Sequence, residues 1–306
     1  MTGPSSTIAL TGGTGFIGKR FAAVARASGY RIRHLTRHAA GDFAPDDEAR
    51  PFDLEAPDHD AVNLRDCAAL VHLAAYIPRD HDDPAAAERC WTINARGTLR
   101  LIEAAAAAGI KRIVQTTSAN AYAGGVEVPD ENAPMFPRSR SYYLGSKILQ
   151  EIYATEFCRT RGIALTTLRL ASVYGPGQTS GAPGIMVRAA LEGRPIEIID
   201  GGQFGVDMVY LDDVAQALML AVERGCIGPV NVGSGVRTTI AQLARMIADL
   251  TGGSIIEKPG QGTVSDTGFP PLDITRLRSM GYDPVPLPTG LAAILHQRVR
   301  SPEGRS

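Results

Sequence analysis

The stretch that most restricts the fold lies near the N-terminus. Thr7-Ile8-Ala9-Leu10 runs into Thr11-Gly12-Gly13-Thr14-Gly15-Phe16-Ile17-Gly18 and then into the apolar run Phe21-Ala22-Ala23-Val24-Ala25. A short buried strand, a glycine-rich turn and a helix, in that order, open a βαβ unit. Gly12 permits the tight turn, Gly15 lets a pyrophosphate approach the backbone, and Gly18 lets helix and strand pack closely. The helix N-terminus offers unsatisfied N–H groups and a favourable dipole to an anion. The feature predicts a dinucleotide site on an α/β fold.

The chain continues in that style. Arg31 to Thr36 reads as the second strand, and the residue at its end selects the cofactor: a carboxylate suits an adenosine 2′-OH, an arginine a 2′-phosphate. Thr36 stands in the carboxylate's place and Arg37 follows, which favours NADP(H), with NAD(H) as the alternative. Phe52-Asp53-Leu54 reads as the end of a third strand, with Asp53 available to the adenine amino group. Leu70 to Ala75 is a fourth strand, apolar because helices cover both faces; its Ala74 and Ala75 suit either a ribose or diphosphate or simple packing. Ala85 to Ala108 reads as one long helix closed by Gly109, and its Asn94 fits core hydrogen bonding as well as a place near an active site. Lys111 to Thr117 is a fifth strand delivering Thr116, Thr117 and Ser118 to the carboxyl edge, where open α/β sheets bind ligands. Ala164 to Leu170 is a sixth, followed by the break Gly175-Pro176-Gly177. Further on, Ile240, Leu243, Ala244 and Ile247 form the core stripe of a helix over 240–250, and Gly260 to Pro271 reads as a loop.

Between the fifth and sixth strands lies Ser141-Tyr142-Tyr143-Leu144-Gly145-Ser146-Lys147. On a helix, Tyr143 and Lys147 share a face one turn apart. A nearby ammonium favours the phenolate, so the spacing predicts a tyrosine with a lowered pKa that exchanges protons near neutral pH. Such a spacing is common by chance and takes its meaning from the dinucleotide site.

Composition narrows the class. The 306 residues carry a formal charge of -1 with no basic run, which gives no reason to expect nucleic acid as a partner. Cys67, Cys90, Cys158 and Cys226 are scattered, as free thiols of a cytoplasmic protein would be, and the six histidines make no metal-ligand pattern. No apolar run approaches the ~20 residues that span a bilayer.

At this point the residues resemble a family, the extended short-chain dehydrogenases/reductases, also called the NAD-dependent epimerase/dehydratase family. The matching pieces are Thr11 to Gly18, His72-Leu-Ala-Ala75, Ser118 with Tyr122, Tyr143-x-x-x-Lys147, Arg169-x-x-x-Val-Tyr-Gly-Pro-Gly177, Val209-Tyr-Leu-Asp-Asp-Val-Ala215 and Asn231-Val-Gly-Ser-Gly235. The resemblance implies a Rossmann-type doubly wound parallel sheet with a smaller C-terminal α/β substrate domain. The nucleotide domain would take residues 1–173 with 206–233 returning to it, and the substrate lobe 174–205 and 234–306, with the active site between them. It implies Ser118, Tyr143 and Lys147 as catalytic residues: Ser118 bonds the reacting oxygen, Tyr143 is the acid/base, and Lys147 binds the nicotinamide ribose. Cofactor contacts would come from Gly12, Thr14, Gly15, Phe16, Ile17, Thr36, Arg37, Asp53, Leu54, Leu73, Ala74, Ala75, Asn94, Thr116, Tyr143, Lys147 and Leu170. Substrate contacts would come from Ser118, Tyr143 and Ser172. The partner is a small molecule, and a homodimer pairing the helices around Asn94 and Lys147 is expected.

The chain departs from nucleotide-sugar relatives where they hold a diphosphate. Ser172 replaces an Asn, Val206 an Arg, and 259–271 lacks an arginine. Either Arg188 or Arg237 substitutes, or the substrate carries no diphosphate. Ala119 and Asn120 occupy the place of a dehydratase's acid pair, which argues against dehydration. With Thr36-Arg37, the sequence favours NADPH-dependent reduction of a keto group on a (nucleotide-)sugar or related carbonyl compound. The alternatives are an NAD-dependent nucleotide-sugar epimerase with transient hydride transfer, and a non-catalytic dinucleotide-binding regulator.

Overall fold

The computed structural model describes residues 6–37, 43–56, 61–81, 83–137, 141–260 and 267–300. Part of the loop expected over 260–271 therefore lies outside the described residues. The chain divides into two compact units. The first comprises 1–125, 131–170 and 214–231, the second 126–130, 171–213 and 232–306.

The first unit is built on a seven-stranded sheet of order β10-β6-β5-β4-β1-β2-β3. Its strands are β1 (Thr7–Thr11), β2 (Arg31–Thr36), β3 (Glu48–Pro51), β4 (Cys67–His72), β5 (Arg112–Ser118), β6 (Ala164–Leu170) and β10 (Gly228–Val232). β1 pairs in parallel with both β2 and β4, so the chain reverses direction across the sheet beside the glycine-rich turn. This is the crevice position at which doubly wound sheets take ligands. Every residue of β1 is buried, as expected for a strand covered on both faces. On one face, Leu101, Ile102 and Ala105 pack with Ile113, Ala154 and Leu165 into a continuous core.

Two helices shape the site. α1 (Phe16–Ala27) starts at Gly15 with no side-chain cap, and no acid stands in its first turn. α4 (Tyr142–Arg161) is capped by Ser141, whose Oγ accepts from the Leu144 N–H at 3.2 Å, and stops at Gly162 in the left-handed conformation. The helix expected over 85–108 is present in three parts: α2 (Ala86–Arg89), a π-helical stretch Cys90–Gly97 and α3 (Thr98–Ala107). The widened π turn carries Asn94, and such turns concentrate at functional sites. The third strand lies earlier than 52–54, because pairing of Arg33 opposite Glu48, reinforced by a 2.8 Å ion pair between them, sets its register.

The second unit contains a three-stranded sheet, β11 (Arg237–Thr239), β9 (Gly205–Tyr210) and β7 (Ser172–Tyr174), and a two-stranded one, β12 (Ile255–Lys258) with β8 (Ile196–Ile199). The helices α5 (Gly181–Leu191), α7 (Ile240–Thr251), α8 (Thr275–Arg278) and α9 (Leu287–Arg300) belong to the same unit. Leu243, Ala244 and Ile247 of α7 are fully buried with Ile196 and Leu291, as the helical spacing predicts. Asp207 of β9 accepts from the N–H groups of Ser234, Gly235 and Leu272 and from the Ser234 hydroxyl.

The unit boundary falls at Leu170/Ala171, and only Val214–Asn231 returns to the first unit. This differs from the expected 173 and 206–233, because β7 and β9 pair with each other instead of extending the large sheet. The helix α6 (Leu211–Arg224) leads from β9 into the returning segment.

Candidate active site

The glycine-rich turn is held by close backbone approach. The Gly15 N–H donates to the Gly12 carbonyl at 3.0 Å. Gly12 has φ +71, and a Cβ there would lie 2.7 Å from the Ala74 nitrogen. A Cβ on Gly18 would lie 2.1 Å from the Gly12 oxygen, so helix and turn meet only through glycine.

A hydrogen-bond relay ties this turn to β4. The Thr98 hydroxyl donates to the Asn94 carbonyl at 2.7 Å, so His72 Nε2–H must be the donor in its 2.8 Å contact with Thr98 Oγ1. His72 Nδ1 is then the acceptor for the Thr11 hydroxyl at 2.6 Å. Thr11 Oγ1 in turn accepts from the N–H groups of Leu73 and Ala74, both at 3.2 Å. The histidine thus fixes the spacing between β1 and β4 under the site.

A cleft of about 520 Å³ opens over this floor. It is lined by Thr11 to Gly18, His34 to Arg37, Phe52 to Glu55 and Leu73 to Ile77, together with Arg89 and Ile93. Of the expected cofactor contacts, Gly12, Thr14, Gly15, Phe16, Ile17, Thr36, Arg37, Asp53, Leu54, Leu73, Ala74 and Ala75 all line it. The uncapped first turn of α1 faces it with bare N–H donors and no competing carboxylate, which suits a dinucleotide diphosphate. Arg37 is exposed where the cleft meets the end of β2.

His34, Tyr76 and Arg89 line the cleft without having been singled out from the sequence. His34 is buried against Gly13, its Nε2 3.0 Å from Asp47 Oδ2, and burial lowers its pKa. The Arg89 guanidinium lies over the Tyr76 ring at 4.5 Å. Only long-range packing exposes these roles, since none forms a local motif.

Asn94, Thr116, Tyr143, Lys147 and Leu170 lie outside that lining. Asn94 is buried; its Nδ2 donates to the Tyr76 carbonyl and to Ser146 Oγ, both at 2.9 Å, and its Oδ1 accepts from the Tyr76 N–H at 2.7 Å. It thereby ties the segment after β4 to the helix bearing Tyr143 and Lys147. Thr116 and Leu170 are buried near the carboxyl ends of β5 and β6.

The catalytic candidates stand on neighbouring elements, β5 and α4. Ser118 ends β5 and caps a short turn, Ala119–Ala121, against which α4 packs. Tyr143 is half-buried in the first turn of α4, with the His81 ring edge-on to it at 5.8 Å between centroids. Lys147 is buried one turn further. The expected lowering of the tyrosine pKa is corrected here. Burial, with a smaller effect from Cys90, pushes Tyr143 up to about 12. One turn on, the Lys147 ammonium donates to Gln150 Oε1 at 2.5 Å; burial pulls its own pKa down to about 7, against the attraction of Glu151.

Behind them, Arg169 forms a buried pair with Glu151 (2.5 Å) and donates to Tyr122 Oη at 2.8 Å, while the Tyr122 hydroxyl donates to Asn231 Oδ1 at 2.6 Å. Burial pushes Tyr122 up to about 12, so this tyrosine braces the site and keeps its proton. In the second unit, Ser172 is half-buried on β7 and Val206 is buried on β9. Arg188 donates to the Thr179 carbonyl at 3.1 Å, and Arg237 donates to the carbonyls of Gln203 and Thr267. Among the described residues no cluster of His, Cys, Asp or Glu could hold a metal ion, and no helix is long and apolar enough to cross a membrane.

The sheet order and the glycine-rich turn over the cleft define a dinucleotide-binding α/β fold. Residues 8–233 match the profile of the NAD dependent epimerase/dehydratase family, and the chain belongs to that family. It is similar to the UDP-glucose 4-epimerase of Mycolicibacterium smegmatis, 29% identical over 92% of this chain and 95% of that protein. Among solved structures it is similar to MoeE5 in complex with UDP-glucuronic acid and NAD (28% identity, TM-score 0.84, 96% of this chain and 99% of that one). It is also similar to the UDP-glucose 4-epimerase of Thermotoga maritima with UDP-glucose (27% identity, TM-score 0.82, 97% and 100%).

Proposed function

We propose that this chain is a nucleotide-sugar epimerase that oxidises a ring hydroxyl and then reduces the resulting ketone from its other face. The observation that carries this reading is the end-to-end similarity to a UDP-glucose 4-epimerase, joined to a Ser118, Tyr143, Lys147 set at the carboxyl edge of the sheet. This places the epimerase ahead of the net reduction that the sequence favoured. A nicotinamide dinucleotide, when bound, supplies the hydride acceptor and donor. Gly12, Gly15 and the first turn of α1 hold its diphosphate. Ser118 donates to the reacting oxygen, Tyr143 removes and later returns the hydroxyl proton, and the charge of Lys147 favours the phenolate in between. Oxidation and reduction cancel, so no reducing equivalent is consumed.

A second reading, net reduction of a keto-sugar by NADPH, is supported by Thr36 and Arg37 at the cleft, where the end of β2 itself bears no carboxylate. Incubating the protein with UDP-glucose and NAD and separating the UDP-hexoses distinguishes the two. The epimerase forms the 4-epimer with no lasting absorbance of reduced nicotinamide. Stoichiometric NADPH consumption by a keto-sugar, without isomerisation of UDP-glucose, supports the reductase. Binding of cofactor with neither outcome supports a non-catalytic role.

The apolar side chains Trp91, Leu149, Ile152 and Tyr153 are exposed on the π-helical stretch and α4, the latter three at helical spacing. They support a homodimer formed through these helices.

A further inference from the structure

The inner face of α4 is polar where a helix against a sheet should be apolar. Lys147, Gln150 and Glu151 are all buried, and so are Gln115 of β5 and Thr167 of β6 opposite them. Glu151 is taken up by Arg169 and by the Thr117 hydroxyl, which donates to it at 3.1 Å. The glutamines form a separate chain. Lys147 Nζ donates to Gln150 Oε1 at 2.5 Å, Gln150 Nε2 to Gln115 Oε1 at 3.0 Å and to the Thr116 carbonyl at 3.4 Å, and Gln115 Nε2 to Thr167 Oγ1 at 2.9 Å.

Chemistry fixes the direction of this chain. An ammonium only donates, so Gln150 must turn its oxygen to Lys147 and its NH₂ group to Gln115. Gln115 must then present its own oxygen and send its NH₂ group to Thr167. Two amide dipoles are thus aligned in series with their negative ends toward the cation, in a region that excludes water. Gln150 Oε1 is the acceptor the described structure gives Lys147. A buried ammonium without an acceptor gives up its proton.

We propose that Gln150, backed by Gln115 and Thr167, is a positioning residue that fixes the Lys147 ammonium and keeps it charged for cofactor binding and for polarising Tyr143. The proposal rests on the reading of Lys147 as a cofactor-binding residue. The ionisable group that acts on Lys147 is Glu151, already paired with Arg169; Tyr143 stands one turn earlier on α4, with Cys90 of the π-helical stretch beside it. None of them changes in the variants below.

The test follows NADH binding by fluorescence titration across pH 6 to 10 on the full chain, in wild type, Gln150→Leu, Gln150→Glu and Lys147→Met. Binding by wild type should weaken as pH rises and Lys147 loses its proton. Gln150→Leu removes the acceptor and moves that midpoint down by about one pH unit, leaving affinity several-fold weaker above neutrality. Gln150→Glu presents a carboxylate to the ammonium and moves the midpoint up; Gln115 can reverse its amide, because the Thr167 hydroxyl is able to donate. Opposite shifts from one position are not produced by loss of packing. Should Gln150→Leu fail to fold, Gln150→Glu decides alone. Midpoints that stay at the wild-type value, or both move the same way, overturn the role of Gln150. A wild type that fails to bind NADH, or whose affinity and pH dependence are unchanged in Lys147→Met, overturns the reading of Lys147 itself and the proposal with it.

Discussion

Near neutral pH Tyr143 is a proton donor before it is a base, because burial pushes it up to about 12. An alcohol oxidation begins with the opposite demand, so the phenolate has to be favoured by charge brought to it, and Lys147 is the buried cation on its own helix face. Replacing Tyr143 by Phe removes one hydroxyl from a half-buried ring and should lower turnover of a nucleotide sugar roughly 10²–10⁴-fold. The thermal midpoint should stay within error; near-normal turnover would remove Tyr143 from catalysis. At the rim of the cleft, Arg37→Ala should weaken NADPH several-fold and leave NADH unchanged, since only the former carries a 2′-phosphate. Equal effects on both cofactors would remove the argument for phosphate recognition. Residues tied to local motifs, such as Gly12, Gly15, Tyr143 and Lys147, were legible in the sequence. Gln115, Gln150 and His34 were not: each is a polar side chain that an amphipathic pattern assigns to a surface, and only contacts from distant strands reveal it as buried.

At the scale of elements, α1 and β1 work as a unit because Gly18 meets the Gly12 carbonyl without a side chain between them. Gly18→Ala places a Cβ against backbone that has no room to yield, so NADH binding should be lost along with some stability. Retained affinity in a titration would show that the turn adapts. On α6, burial raises Asp213 from its ordinary range to about 6, while its Oδ2 accepts from the Val285 N–H at 2.9 Å. A carboxyl raised on folding stabilises the fold fully below its unfolded pKa and loses that contribution as pH rises through the folded value. Asp213→Asn keeps an acceptor for Val285 and removes the buried charge, so it should gain up to about 2 kcal/mol at pH 7.5 and almost nothing at about pH 3, below the unfolded pKa. Calorimetry at the two pH values checks the sign; a gain of equal size at both would contradict it. The strand and helix periods were readable because helices cover the large sheet on both faces. The displacement of β3 to Glu48–Pro51 was not, since its side chains are polar or exposed and its register comes from pairing with β2. Neither was the π-helical stretch, which has the same apolar spacing as the helices flanking it.

At the scale of the whole molecule, residues 8–233 match the family profile, and the similarity to a UDP-glucose 4-epimerase runs along nearly the whole of both chains. On the proposed epimerase reading, the chain's own departures, Ser172 and Val206, bear on substrate choice rather than on the hydride and proton steps. The order of motifs made the doubly wound sheet legible. The unit boundary was less so, because β7 and β9 continue the sequence pattern of the nucleotide domain while pairing with each other. The central claim, a transient oxidation with the hydride returned to the same carbon, is tested most directly by isotope. UDP-glucose deuterated at C4 of the sugar is incubated with the enzyme and NAD in ordinary water, and the UDP-hexoses are separated and analysed by mass spectrometry and NMR. The account predicts the 4-epimer with deuterium retained at C4. Recovery of unchanged UDP-glucose alone, or of an epimer whose C4 deuterium has been replaced by hydrogen, would contradict it.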